Sequence, residues 1–380
     1  MRLRARHYRT GQRLDFICER GVIARTEPAS MIAADVEAEW IAPAFCDVQI
    51  NGCEGISFNA PTLSAEQIRR VVHVCRLHGI AQLCPTLVTA SHEALMHGFR
   101  TLADACDADA ELNRAIVGIH LEGPYIAPED GPRGAHPKQH VRAADWDEFR
   151  RFQDAARGRI RMVTVAPESP GGIAFIEKAA QAGVIVALGH TGATGSCIRD
   201  AISAGARIST HLGNGSHAML PRHDNYIWEQ LADDRLWASI IADGHHLPAS
   251  VMRCILRVKT PSRLILTCDA SSLAGLPAGM HKVWDQDFEI LPIGKIVVPG
   301  TSYLGGSWAF TELCVANMLK LGETSLSETI DLASNGPRAL LGLPPRSLAV
   351  GEPAEAILFD SGPERDFHLR ATVVGDSRVT

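Results

Sequence analysis

The chain has 380 residues, of which 46% are hydrophobic and 21% charged, and its net charge is −6. This composition is ordinary for a globular protein and lacks the polybasic footprint that nucleic acid or an anionic membrane surface requires. The opening MRLRARHYRTGQRLDF has no apolar signal-like stretch, no uncharged run approaches the roughly 20 residues of a membrane span, and the ten cysteines form no CxxC pair. A cytoplasmic protein with free buried thiols is the expectation.

Residues 1–40 are Gly-punctuated and strand-like, with LDFICERGVIART suggesting a hairpin. IAPAFCDVQING (41–52) then begins a different rhythm. Asp47, Gln49 and Asn51 alternate with Val48 and Ile50, which predicts a strand presenting two neutral amides side by side. Short apolar strands follow at 81–87, 115–123, 159–168, 183–192, 206–214, 238–246 and 263–270, with candidate helices between them at 64–79, 172–183 and 195–206. About eight β/α units predict a closed (β/α)8 TIM-type barrel over 41–346. A doubly wound sheet would want a GxGxxG turn after its first strand, and the sequence has none. SLAVGEPAEAILFD and LRATVVGD return to short strands, so residues 1–40 and 347–380 are expected to form one small β-sandwich domain beside the barrel.

In such barrels the chemistry sits at the C-terminal ends of the strands. Here those ends carry His120 and Glu122 (HLEGP), His190 (LGHTG), His211 and Asn214 (STHLGN), Asp243, His245 and His246 (ADGHH) and Asp269 (TCDAS). Ionisable groups ending successive buried strands are costly unless they are paired or bind metal. One carboxylate and two imidazoles, Glu122, His190 and His211, make a divalent site suited to Zn²⁺ or Fe²⁺. Asp269 then fits a base that activates water and returns the proton to a leaving group. Histidines in helical stretches, such as His73, His78, His92 and His97, are read as packing residues.

Together APAFCDVQING, GIHLEGPYI, ALGHTGAT, STHLGN, IIADGHH, TCDAS and LGGSWAF resemble the amidohydrolase superfamily, and more closely the N-acetylglucosamine-6-phosphate deacetylases. The resemblance implies hydrolysis of the acetamide of N-acetylglucosamine 6-phosphate to glucosamine 6-phosphate and acetate. Many superfamily members carry HxH at the end of the first strand and bind two metals. The amides Gln49 and Asn51 stand there instead, which implies one divalent metal per subunit, zinc first, with iron, manganese or cobalt able to share the ligands.

By the same resemblance Glu122, His190 and His211 match the metal ligands, Asp269 the acid/base, and His246 the histidine that polarises the carbonyl. Gln49, His136, Asn214, Gly215, Asp243, Leu304, Gly305 and Gly306 fall on the substrate side. Arg222 matches an arginine that binds the sugar phosphate in a neighbouring subunit, which implies a homodimer, although its loop RHDNYIW departs from the usual family sequence. The alternatives are an unphosphorylated N-acetylhexosamine, another N-acyl substrate, or a non-catalytic binding protein on the same barrel.

Overall fold

The computed structural model describes residues 1–283, 286–362 and 364–380. Eight parallel strands follow one another around the molecule in chain order: β1 (Phe45–Ile50), β2 (Ile80–Val88), β3 (Ile119–Glu122), β4 (Ile160–Val165), β5 (Ile185–Leu188), β6 (Ala206–Ser209), β7 (Trp237–Ile240) and β8 (Leu264–Leu266). The ladder closes between first and last through a bridge from Ile50 to Ala270, with Asn51 N donating to Ala270 O at 2.8 Å. Asp47, fully buried, stitches the same seam. Its carboxylate accepts from Thr267 Oγ1, from Cys268 N and from Thr311 Oγ1 at 2.7 Å. This is the nearly closed (β/α)8 barrel that the alternation predicts.

The helices cover the barrel because their apolar stripes match the outward residues of the strands. Ala65–Leu77 begins at a Ser64/Gln67 capping box and buries Ile68, Val71, Val72 and Cys75. Gly172–Gln181 and Gly195–Ser203 occupy the other two expected helical stretches.

Alternate strand residues point the other way, and three levels stack inside. Val48, Met162, Ala187, Ile208 and Ile265 form an apolar cluster. Above it lies a polar level, where His120 contacts Val48 O at 3.2 Å and Thr164 Oγ1 at 2.8 Å, and Thr164 Oγ1 meets Thr210 Oγ1 at 2.7 Å. His120 is thus satisfied within the wall, and burial lowers its pKa to about 4. The third level is the mouth.

The terminal segments form one seven-stranded sheet, in the order 377–379, 368–374, 355–360, 36–43, 2–7, 13–19, 22–28. The expected hairpin is its 13–19/22–28 pair. The sheet folds back until its 22–28 edge meets 352–353, with Ile23 N donating to Glu352 O at 2.9 Å, and it encloses its own cluster around Leu3, Phe16, Ile23, Leu358 and Val373. Strand Val36–Pro43 belongs to this sheet for its whole length, running past the expected division at residue 40.

A three-stranded antiparallel flap (Gly279–Val283, Gln286–Ile290, Ile296–Val297) stands between β8 and the last helices. It packs Phe288, Ile290, Ile296 and Val298 on Leu273. All ten cysteines are free, and all but Cys197 and Cys254 are buried. No described helix is long and apolar enough to cross a membrane.

Candidate active site

Three strands leave β geometry abruptly where they reach the mouth. His190 (φ 52°), His211 (φ 28°) and Asp269 (φ 50°) all have positive φ, which L-residues other than glycine rarely adopt. Such strain persists only where surrounding contacts over-determine it, and it concentrates at functional sites. All three side chains line the cavity at the mouth.

These side chains meet at Glu122. Its Oε1 lies 3.1 Å from His190 Nε2 and 3.0 Å from His211 Nε2, and the two imidazole nitrogens are 3.2 Å apart. His190 Nδ1 is bonded to Pro132 O at 2.8 Å, which turns Nε2 inward. Burial opposes the charge on Glu122, but the hydrogen bonds of His190 and His211 outweigh it and hold the carboxyl well below its ordinary range.

This donor set fits a divalent cation. Metal bonds of about 2.0–2.2 Å at tetrahedral angles separate ligand atoms by about 3.3 Å, close to the spacing of these three. His136 joins the group: its ring lies edge-on to His190 at 4.3 Å between centroids, and its Nε2 is 4.0 Å from Glu122 Oε2. Glu122, His136 and His190 offer ligand atoms within 4.8 Å of one another. Burial, then His190, lowers the His136 pKa to about 3, so this imidazole stays neutral and can donate a lone pair.

Asp269 sits on the other side of the same cluster. Its Oδ1 accepts from Asn51 Nδ2 at 2.7 Å and from Gln49 Nε2 at 3.0 Å, while Gln49 Nε2 also reaches Glu122 Oε1 at 2.9 Å. Burial, then the charge of Glu122, raises Asp269 to about 6. His246 is held by Asp243, whose Oδ2 lies 2.7 Å from His246 Nδ1, and whose Oδ1 accepts the backbone N–H groups of His245 and His246. Burial would raise Asp243, but the hydrogen bond from His246 outweighs it and lowers the pKa to about 2.

These groups open into a cavity of about 520 Å³, the size of a small-molecule site. Asn51, Glu122, His136, His190, His211, Asn214, Gly215, His246, Asp269 and Leu304–Gly306 line it. Gly215 (φ 56°) lies against His190: a Cβ there would stand 2.7 Å from Nδ1.

Three expected substrate contacts lie elsewhere. Gln49, 1% exposed, is behind the lining with its amide donors spent on the two carboxylates. Asp243 is behind His246, its oxygens taken up by that histidine, the backbone and Ser307 Oγ. Arg222 is exposed on the loop before helix Tyr226–Ala232, outside the lining of its own chain's cavity.

A model of the amidohydrolase family matches residues 40–379. The chain belongs to the amidohydrolase family. Two curated relatives narrow the likeness. An N-acetylgalactosamine-6-phosphate deacetylase of Escherichia coli O157:H7 is 31% identical over 347 residues, covering 90% of this chain and 89% of that protein. The N-acetylglucosamine-6-phosphate deacetylase of Bos taurus is 33% identical over 352 residues, covering 89% and 83%. Among solved structures, a mutant N-acetyl-D-glucosamine-6-phosphate deacetylase from Mycobacterium smegmatis, in complex with N-acetyl-D-glucosamine-6-phosphate, superposes with a TM-score of 0.89 at 30% identity, covering 100% of this chain and 99% of that one. The resemblance drawn from the motifs is therefore upheld.

The amidohydrolase mouth also contains a residue that sequence reasoning passed over. Glu168, just beyond β4, accepts from Thr191 Oγ1 at 2.6 Å and from Gly192 N at 2.5 Å, and so clamps the turn that carries His190. The signal was present, since VTVAPE ends an apolar strand in an acid like the others.

Proposed function

We propose that this chain hydrolyses the acetamide of a phosphorylated N-acetylhexosamine, N-acetylglucosamine 6-phosphate first, to the amino sugar phosphate and acetate. The observation that carries the reading is the placement of Asp269 beside the Glu122–His190–His211 cluster at the floor of a sugar-sized cavity. The deacetylase relatives supply the substrate class, and they include both gluco and galacto enzymes.

Glu122, His190 and His211, with His136 beside them, would hold the divalent cation, zinc being the first candidate. When bound it supplies Lewis acidity toward a water and the acetamide oxygen. Asp269 takes the proton of the attacking water. Its Oδ1 is fixed by Asn51 and Gln49, which leaves Oδ2 to move the proton. His246 donates from Nε2 to the carbonyl oxygen as it gains charge, and the buried Asp243 carboxylate serves as counter-ion to the imidazolium. Asp269 then protonates the departing nitrogen, so one carboxyl serves both half-steps. Asn214, Gly215 and Leu304–Gly306 form the walls that orient the sugar. A cytoplasmic homodimer is the assembly in which the exposed Arg222 can serve a neighbouring cavity.

Acetate release measured on N-acetylglucosamine 6-phosphate, N-acetylgalactosamine 6-phosphate and a set of N-acetyl amino acids tests the reading. A phosphosugar is the expected best substrate. Faster hydrolysis of the amino acids would replace it with another amidohydrolase reaction.

A further inference from the structure

We infer that Lys295, on the flap, is a cation that this chain offers from within its own cavity to the anionic substituent of the substrate. The inference rests on the phosphosugar reading above and names a residue, besides the Arg222 of a neighbouring chain, that would make the site prefer it.

The cavity is rich in negative and neutral groups. Glu122, Asp130 and Asp269 line it together with imidazoles, hydroxyls and glycines. Lys295 is the one Lys or Arg among the described lining residues. The nearby Arg133 is engaged, paired with Asp130 and donating to His136 O at 2.8 Å. Lys295 is half-buried, and its ammonium makes no hydrogen bond or ion pair with any described residue. A phosphate monoester carries up to two charges and three acceptor oxygens. An ammonium with three donors suits such a group as a point charge.

The flap fixes the backbone from which the Lys295 side chain extends. Leu291 N donates to Lys295 O and Gly294 N to Leu291 O, each at 2.9 Å, closing a tight turn with Gly294 at φ 77°. Ile296, 1% exposed, anchors the following strand in the Phe288–Leu273 cluster. His245 braces the turn from the barrel side through Ile293 O at 3.0 Å. The turn is thereby joined to the ADGHH loop that carries His246, and Lys295 and His246 line the same cavity.

The test compares kcat/KM for N-acetylglucosamine 6-phosphate and for unphosphorylated N-acetylglucosamine in wild type, K295M and K295R. The ratio of the two is expected to fall at least tenfold in K295M, with the loss in KM for the phosphosugar, and to return towards wild type in K295R, as expected when a charge-assisted contact is removed and restored. A K295M enzyme that keeps the wild-type ratio, whether or not both rates fall together, overturns the assignment of Lys295. A wild-type enzyme with no preference for the phosphosugar overturns the functional reading itself, which separates the two failures.

Discussion

Gln49 donates to Asp269 Oδ1 at 3.0 Å through the same amide nitrogen that lies 2.9 Å from Glu122 Oε1. A neutral amide therefore bridges two buried carboxylates. Replacing it with a group that cannot donate leaves both acids short of a partner, at about 1–3 kcal/mol. Gln49→Leu is expected to lower kcat roughly ten- to hundredfold while the purified protein keeps its metal. Steady-state kinetics beside elemental analysis will show it, and a Q49L enzyme with wild-type kcat would remove the amide bridge from the account.

Asp243 holds His246 from behind and is closed off from the cavity by it. Asp243→Asn keeps the shape but removes the counter-ion. Turnover is expected to fall about 10²–10⁴-fold, as for the loss of a proton donor, with KM changing far less. A rise in KM alone would mean that Asp243 touches substrate after all.

Glu168 clamps Thr191 and Gly192, the two residues after His190. Partners that orient a ligand typically contribute 10–100-fold to metal affinity. Glu168→Ala is expected to weaken metal binding by that amount, read by titration against a competing chelator, before any assay of activity. Unaltered affinity would confine Glu168 to a role in folding.

In the terminal sheet the buried Asp15 accepts from Arg4 Nε and Arg2 Nη1 at 2.7 Å each, and from Ser30 Oγ at 2.8 Å. The Arg4 hydrogen bond leads, burial opposes it, and the net effect holds the carboxyl well below its ordinary range. A carboxyl depressed in the folded state contributes stability above its unfolded pKa of about 3.9 and loses it as pH falls towards the folded value. Asp15→Asn is therefore expected to lower Tm at pH 7, with the gap from wild type narrowing progressively below about pH 4. Melting curves across that range decide it, and a constant gap would contradict the linkage.

The barrel was legible because buried parallel strands read as apolar runs, so the polar residues at their ends stood out: Glu122, His190, His211 and Asp269. The hairpin at 13–28 and the three named helices were legible by the same periodicity. What the order of residues did not disclose was who faces whom. Asp243 and His246 look equally available in ADGHH, yet a three-residue turn sets one behind the other. Gln49 lies 73 residues from Glu122 and 220 from Asp269 in sequence, and only barrel closure brings the three together. The flap was missed for a different reason. Its strands are short and one face is wet, so GMHKV and QDFEI lack the apolar run that marked the barrel.

On the proposed function Asp269 moves the protons of amide hydrolysis beside a metal held by Glu122, His190 and His211. The most direct test is acetate release from N-acetylglucosamine 6-phosphate by wild type and D269N at equal metal content. D269N is expected to bind metal stoichiometrically and to release acetate at least a hundredfold more slowly. D269N turning over within a few-fold of wild type would contradict it.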